Sequence, residues 1–279
     1  MRIDDFESVF RSAVKPTFQY RPLDLHTAAI VTDLAPESVE TFAREVQALL
    51  SHLDTNEHLG LHTLSAPRDW SDVPTLLERL QDLEPQIILT HRHLLGAHKN
   101  LGHTLGSVVD TLTQQIETPV MLLPVGTALR EATRVMVVTD HLTGDDPLVN
   151  WAIHITPNDG TLLLCHIEDQ DVFDRYAEML GRMKGVPTED VVQRLKAKLL
   201  GLPRDYIRAV KAEMREQGIQ EHVVPLVELG QPLEVYRRLV DKEDVRLLIC
   251  NTKDPHQRAM EALSHALAVE LRDLPLLLL

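Results

Sequence analysis

AAIVTDLAPESVETFAREVQALL (residues 28–50) and RVMVVTDHLTGDDPLVNWAIHI (residues 134–155) decide the fold between them. Each opens with a continuous apolar run, Ala28 to Val31 in one and Val135 to Val138 in the other. Each run ends on Thr-Asp, passes a turn at Ala35-Pro36 or Gly144, and enters a helical pattern. An unbroken β-branched run between turn signals is how a strand buried on both faces looks. The ends of the halves match as well. EPQIILTHR (residues 84–92) leads through a Gly- and His-rich loop into the helical stretch SVVDTLTQQIE, then TPVMLLP; EDVRLLICNTK (residues 243–253) leads through a polar loop into HALAVELRD, then LPLLLL. A helix precedes the penultimate strand in both, VPTLLERLQDL (73–83) and PLEVYRRLVDK (232–242). Strands alternating with helices imply right-handed βαβ units and a parallel sheet.

This repetition predicts α/β architecture with two tandem doubly wound parallel-sheet domains, residues 21–126 and 132–279, joined near TALREAT (127–133). The first domain reads as the shorter, with one middle strand, HLGLHTL (58–64). The second has two, TLLLCHI (161–167) and EHVVPLVEL (221–229), separated by a helical insertion from about Asp171 to Gln217. Within the insertion, Thr188 with Glu189 and Asp190 reads as an N-cap with an acidic first turn, and MREQG as a Gly C-cap. FESVFRSAV (6–14) reads as a short amphipathic helix in a docked N-terminal arm.

Composition narrows the function classes. A formal net charge of -14 repels a phosphate backbone, and no basic patch with interleaved aromatics offsets it, so nucleic acid is not expected as a partner. Cys165 and Cys250 lie in apolar runs and read as core residues of a reducing compartment. The N-terminus carries acids where a secretory signal carries positive charge, and no apolar run approaches the ~20 residues a membrane helix needs, so a cytoplasmic protein is expected. No Gly-x-Ser-x-Gly elbow, Walker loop or HExxH motif is present.

In a doubly wound sheet, ligands bind beyond the carboxyl ends of the strands, where strand order reverses. In the first half that point gathers Asp33 and the loop His93-Leu-Leu-Gly96 through Gly102 to Gly106-Ser107. Nine residues separate Gly96 from the Gly106-Ser107 pair, and Ser107 opens a helix. Backbone N–H groups at a helix start, a hydroxyl and the positive dipole end suit a phosphate, and Asp33 suits ribose hydroxyls or a phosphate-bound metal. The same glycines also serve a loop without a ligand, as turn and helix-start residues. His91, His93, His98 and His103 cluster in this stretch, but with no cysteine nearby they fit no zinc pattern, so no metal site is expected. Asp145-Asp146 reads as a helix cap, and His166 as a strand-end histidine near the second crevice.

The loop and the Asp resemble those of the universal stress protein family, whose domains carry Gly-x2-Gly-x9-Gly-Ser/Thr between the fourth strand and helix and an Asp ending the first strand. The second glycine of the pattern falls on Gly96 and the closing pair on Gly106 and Ser107, while the first falls on His93. The resemblance spans about Leu23 to Leu279 and rests on the arrangement of parts. It implies an adenine nucleotide α-hydrolase-like fold and a stress-response regulatory or signalling role. ATP, with magnesium, is then expected in the first domain at Asp33, His93, Gly96, Gly106 and Ser107, with slow hydrolysis at most. In the second half the matching positions are Asn251, Asp254, Ser264 and His265; with the glycines gone and an acid beside the phosphate, that site is expected to have lost the triphosphate, although Asp140 keeps its place. The resemblance also implies domain pairing through the last strands, TPVMLLP and LPLLLL, hence an intramolecular pseudo-dimer, with a homodimer through another face open. The alternative is a nucleotide-free module that binds an unidentified protein through the insertion and the sheet edges.

Overall fold

The computed structural model describes residues 16–51, 53, 59–96, 104–126, 129, 131–139, 141–182, 188–219, 222–252 and 262–279. The first half runs β1 (Thr27–Thr32), α1 (Pro36–Leu50), β2 (Gly60–Ser65), α2 (Val73–Leu83), β3 (Ile87–Thr90), α3 (Ser107–Gln115), β4 (Val120–Leu122). The second runs β5 (Arg134–Val138), α4 (Asp146–Ile155), β6 (Thr161–Asp169), α5 (Gln170–Gly181), α6 (Thr188–Glu216), β7 (His222–Gly230), α7 (Pro232–Lys242), β8 (Leu247–Cys250), α8 (Ala262–Glu270), β9 (Leu276–Leu278). The fold is thus the α/β type expected, with a shorter first half and an inserted helical pair in the second.

The nine strands among the described residues form one sheet in the order β2-β1-β3-β4-β9-β8-β5-β6-β7. Every pairing is parallel except β4 with β9, where Val120, Met121 and Leu122 face Leu278, Leu277 and Leu276 antiparallel. Strand order reverses between β1 and β3 in one half and between β5 and β8 in the other. Side chains alternate between two cores, as the pleat requires. Ala28, Ile30, Met121, Leu164 and Leu277 pack beneath α1, α4 and α6, whereas Ala29, Val31, Leu122, Cys165 and Leu276 pack beneath α2, α3, α7 and α8.

Several expectations are sharpened. The insertion is two helices, and the strand before it runs on to Asp169, whose carboxylate caps α5 by accepting from the N–H groups of Asp171 and Val172. His166 therefore lies inside β6, opposite Val227, not after the strand. Gly218 ends α6 in the left-handed region (φ 73), and the Ile219 N–H reaches back to the Met214 carbonyl. Pro225 sits on β7, an edge strand, where a missing N–H costs no central ladder bond. The helix expected over 6–14, the N-cap region before Thr188, and Asp140, Asp254, His98, Gly102 and His103 lie outside the described residues. No helix among the described residues is long and apolar enough to cross a membrane.

Candidate functional site

β1 and β3 run side by side, with Val31 beside Thr90, so Thr32-Asp33 and His91-Arg92-His93 leave the sheet together. Thr32 and His91 are buried, and the His91 ring meets Phe42 edge to face. His91 Nδ1 lies 3.1 Å from the Arg92 carbonyl; Nε2 lies 3.1 Å from Thr32 Oγ1 and 3.3 Å from Asp33 Oδ1. A carbonyl accepts only, so Nδ1 carries the proton. A neutral ring then presents Nε2 as an acceptor to the Thr32 hydroxyl, and only a protonated ring donates to Asp33. The other Asp33 oxygen, Oδ2, accepts from the Leu95 N–H at 2.9 Å and ties the loop to β1.

The loop geometry explains the departure at His93. His93 and Leu95 both hold left-handed backbone (φ 60 and 55), the conformation a glycine takes without strain. The substitution therefore adds a side chain while keeping a glycine-like path, at a cost of about 1–2 kcal/mol. Gly106 has no such latitude. Its φ is 99, and a Cβ there would stand 2.8 Å from His93 Cα. The His93 N–H donates to the Leu105 carbonyl at 2.9 Å, which clasps the two ends of the loop. Gly96 is tight as well, a Cβ there meeting the His93 carbonyl oxygen at 3.0 Å.

α3 starts at Ser107 with Gly106 as its N-cap, and no side chain caps it. The first N–H groups of a helix lack intrahelical partners, so an uncapped start is a ready donor set for an anion. Thr104 Oγ1 accepts from the Gly106 N–H at 3.0 Å and donates to Asp110 at 3.2 Å, fixing the entry angle. Positive charge gathers at the same place. His93 titrates below its ordinary value, chiefly through burial, then through Arg272 and Arg92, with Asp110 opposing. Arg272 belongs to the second half, so both halves supply the local field.

Arg92 escaped the reading of the sequence. Its guanidinium reaches the C-terminus of α8, donating to the carbonyls of Ala268 (3.0 Å), Leu271 (3.1 Å) and Arg272 (3.1 Å). Burial, and then the Arg272 charge, lower its pKa to about 10, so it stays charged at neutrality. A cation at a helix C-terminus meets the negative end of the dipole. Arg92→Ala is expected to cost about 2–3 kcal/mol, the range for hydrogen bonds to a charged group with its carbonyl partners left open. Arg92→Lys should recover only part of it, since an ammonium has no fork. Urea denaturation measures both.

Among the described residues, one hydrogen bond crosses the second crevice. Asn251 Nδ2 donates to Asp145 Oδ2 at 2.6 Å, bridging the β5 and β8 ends, while Asp145 Oδ1 caps α4 by accepting from the Leu148 N–H. Ser264 is buried in α8, and His265 is half-buried beside it. Among the described residues no group of three metal-ligating side chains forms; His91 turns toward Thr32 and Asp33. His166 Nε2 lies 3.3 Å from Glu168 within β6.

No protein-family model matches the sequence, and no curated protein matches it. Among solved structures, the chain is similar to a functionally unknown protein from Pseudomonas aeruginosa PAO1 (12% identity, 92% of each chain, TM-score 0.54). It is also similar to a candidate universal stress protein from Pseudomonas aeruginosa UCBPP-PA14 (13% identity, 91% of this chain and 93% of that one, TM-score 0.54). At such identities the likeness is one of fold, and that fold is the one universal stress proteins share.

Proposed function

We propose that the chain is a regulatory protein of the universal stress protein type that takes one adenine nucleotide, with magnesium, in the first-half crevice and none in the second. The observation that carries this reading is the uncapped start of α3 at Gly106-Ser107, beside Asp33 at the strand-order reversal. The α3 N–H groups and the Ser107 hydroxyl would hold phosphate, with Arg272 and Arg92 adding positive potential. Asp33 Oδ1 lies 3.3 Å from His91 Nε2 and has a second lone pair for a ribose hydroxyl. Magnesium would screen the phosphates from Asp110. His91 is turned inward onto Thr32, so the chemistry supported is binding, with slow hydrolysis at most.

Calorimetric titration with Mg-ATP tests this. Asp33→Ala should weaken binding at least tenfold, since a hydrogen bond to a charged group is worth about 1.5–3 kcal/mol. Unchanged affinity in that variant would remove Asp33 from the site. The pH dependence has a definite sign. A His with a lowered pKa contributes stability that is present above the unfolded value of about 6.5 and lost as pH falls through the folded one. A bound phosphate reverses the field at His93 and draws a proton onto it. ATP affinity should therefore rise from pH 7 to pH 6 with proton uptake, measurable in buffers of different ionisation heat. His93→Asn should remove the protein's share of that uptake.

A nucleotide-free interaction module is the second reading, favoured by one observation. Asp33 Oδ2 is already held by the Leu95 N–H, so the loop can rest on β1 with no ligand. No heat with Mg-ATP in a folded chain would select it.

A further inference from the structure

Residues 16–21 lie along the second half as an extended segment without regular secondary structure. Phe18 is its buried anchor, set in the core beneath α1, α4 and α6 and meeting Tyr206 edge to face, with ring centroids 6.1 Å apart, while Tyr20 packs half-buried against the same core. Its polar contacts with α4 run to main chain. Asn150 Oδ1 accepts from the Arg21 N–H at 2.8 Å, Asn150 Nδ2 donates to the Gln19 carbonyl at 3.1 Å, and Asp146 Oδ2 accepts from the Gln19 N–H at 3.1 Å. The side chains of Gln19 and Arg21 are exposed.

The three recognition groups are fixed independently of the segment. Asn150 also donates to the Asp146 carbonyl at 2.9 Å, and Asp146 Oδ1 accepts from the Tyr206 hydroxyl at 2.7 Å. Burial, and then that hydrogen bond and the acid's charge, push the Tyr206 phenol well up, so it remains a donor. A preorganised amide that pairs with passing backbone, next to a pocket for one aromatic ring, is peptide-recognition chemistry: main-chain bonds supply affinity and the pocket supplies selectivity.

We propose that this α4–α6 surface is a peptide-docking site, occupied in cis by the chain's own arm and open to an extended segment of a partner protein. The segment carries an aromatic residue in the Phe18 position and a free N–H at the first and third residues after it, so proline is refused at both. A basic residue after the aromatic one is favoured: the arm itself carries Arg21 three residues after Phe18, in a chain of net charge -14 whose α4 starts at Asp145-Asp146. The inference does not depend on nucleotide binding.

A tethered arm competes at an effective concentration in the millimolar range, so the wild type should bind a free peptide weakly. The test uses the full chain and a dye-labelled peptide, KPTFQYRPL. Phe18→Ala in the protein should free the site and lower the apparent Kd at least tenfold; adding Asn150→Ala, or replacing the peptide's glutamine by proline, should abolish binding. Equal binding by wild type and Phe18→Ala, or undiminished binding of the proline peptide, would overturn the proposal. Should Phe18→Ala not fold, hydrogen exchange decides it in the wild type: millimolar peptide should speed exchange at the Gln19 and Arg21 amides, and unchanged rates would overturn it. A wild-type dimer that becomes a monomer in Phe18→Ala would assign the surface to a second copy's arm, against a partner segment.

Discussion

Leu277→Asp is expected to leave the chain largely unfolded at 25 °C. Leu277 is fully buried at the centre of β9, paired to Met121 across the antiparallel seam and to Ile249 on the other side. The residues of its core cluster are apolar side chains such as Ile30, Met121, Leu164 and Ile249. An unpaired carboxylate there costs several kcal/mol after relaxation, beyond the loss of the leucine's own burial. Total stability of about 5–15 kcal/mol leaves little margin for such a loss. Circular dichroism and urea denaturation measure it, and a melting temperature within a few degrees of wild type would show that β4 and β9 do not pair as described.

The second large effect is expected at Gly106. Gly106→Asp places a Cβ where His93 Cα lies at 2.8 Å, on a backbone with φ 99. Both features act on the same residue: the left-handed backbone costs about 1–2 kcal/mol for a side chain, and forcing the loop ends apart about 1–3 kcal/mol more. The added carboxylate also stands where a phosphate would meet α3. Loss of all measurable ATP binding is therefore expected, with a stability decrease of about 2–5 kcal/mol. Gly106→Ala separates the two causes, since it keeps the strain without the charge. Equal ATP affinity in wild type and Gly106→Asp would detach the nucleotide from this helix start.

Much of the fold was legible because its decisive strands are unbroken apolar runs. Residues 28–31 and 135–138, each closed by Thr-Asp, admit few alternatives once the helical stretches behind them repeat in the same order. Boundaries were less legible where pattern and pairing disagree. β6 continues through His166 and Glu168 to Asp169 because β7 offers it a ladder out to Gly230, which the polar sequence does not announce. The loop was legible by spacing, its conformation was not: periodicity does not say that His93 takes the glycine's left-handed backbone. Arg92 and Asn150 were missed for one reason. Each acts on backbone carbonyls or amides more than 100 residues away in sequence, and such partners leave no local pattern. A charged residue two positions after a buried strand end, as Arg92 is, was the one available signal.

Native mass spectrometry of the freshly purified chain tests the central claim most directly. One adenine nucleotide per chain is expected after exchange into Mg-ATP, and none in Gly106→Asp. Two nucleotides per wild-type chain would contradict the assignment of a single site, and none would contradict the first-half site itself.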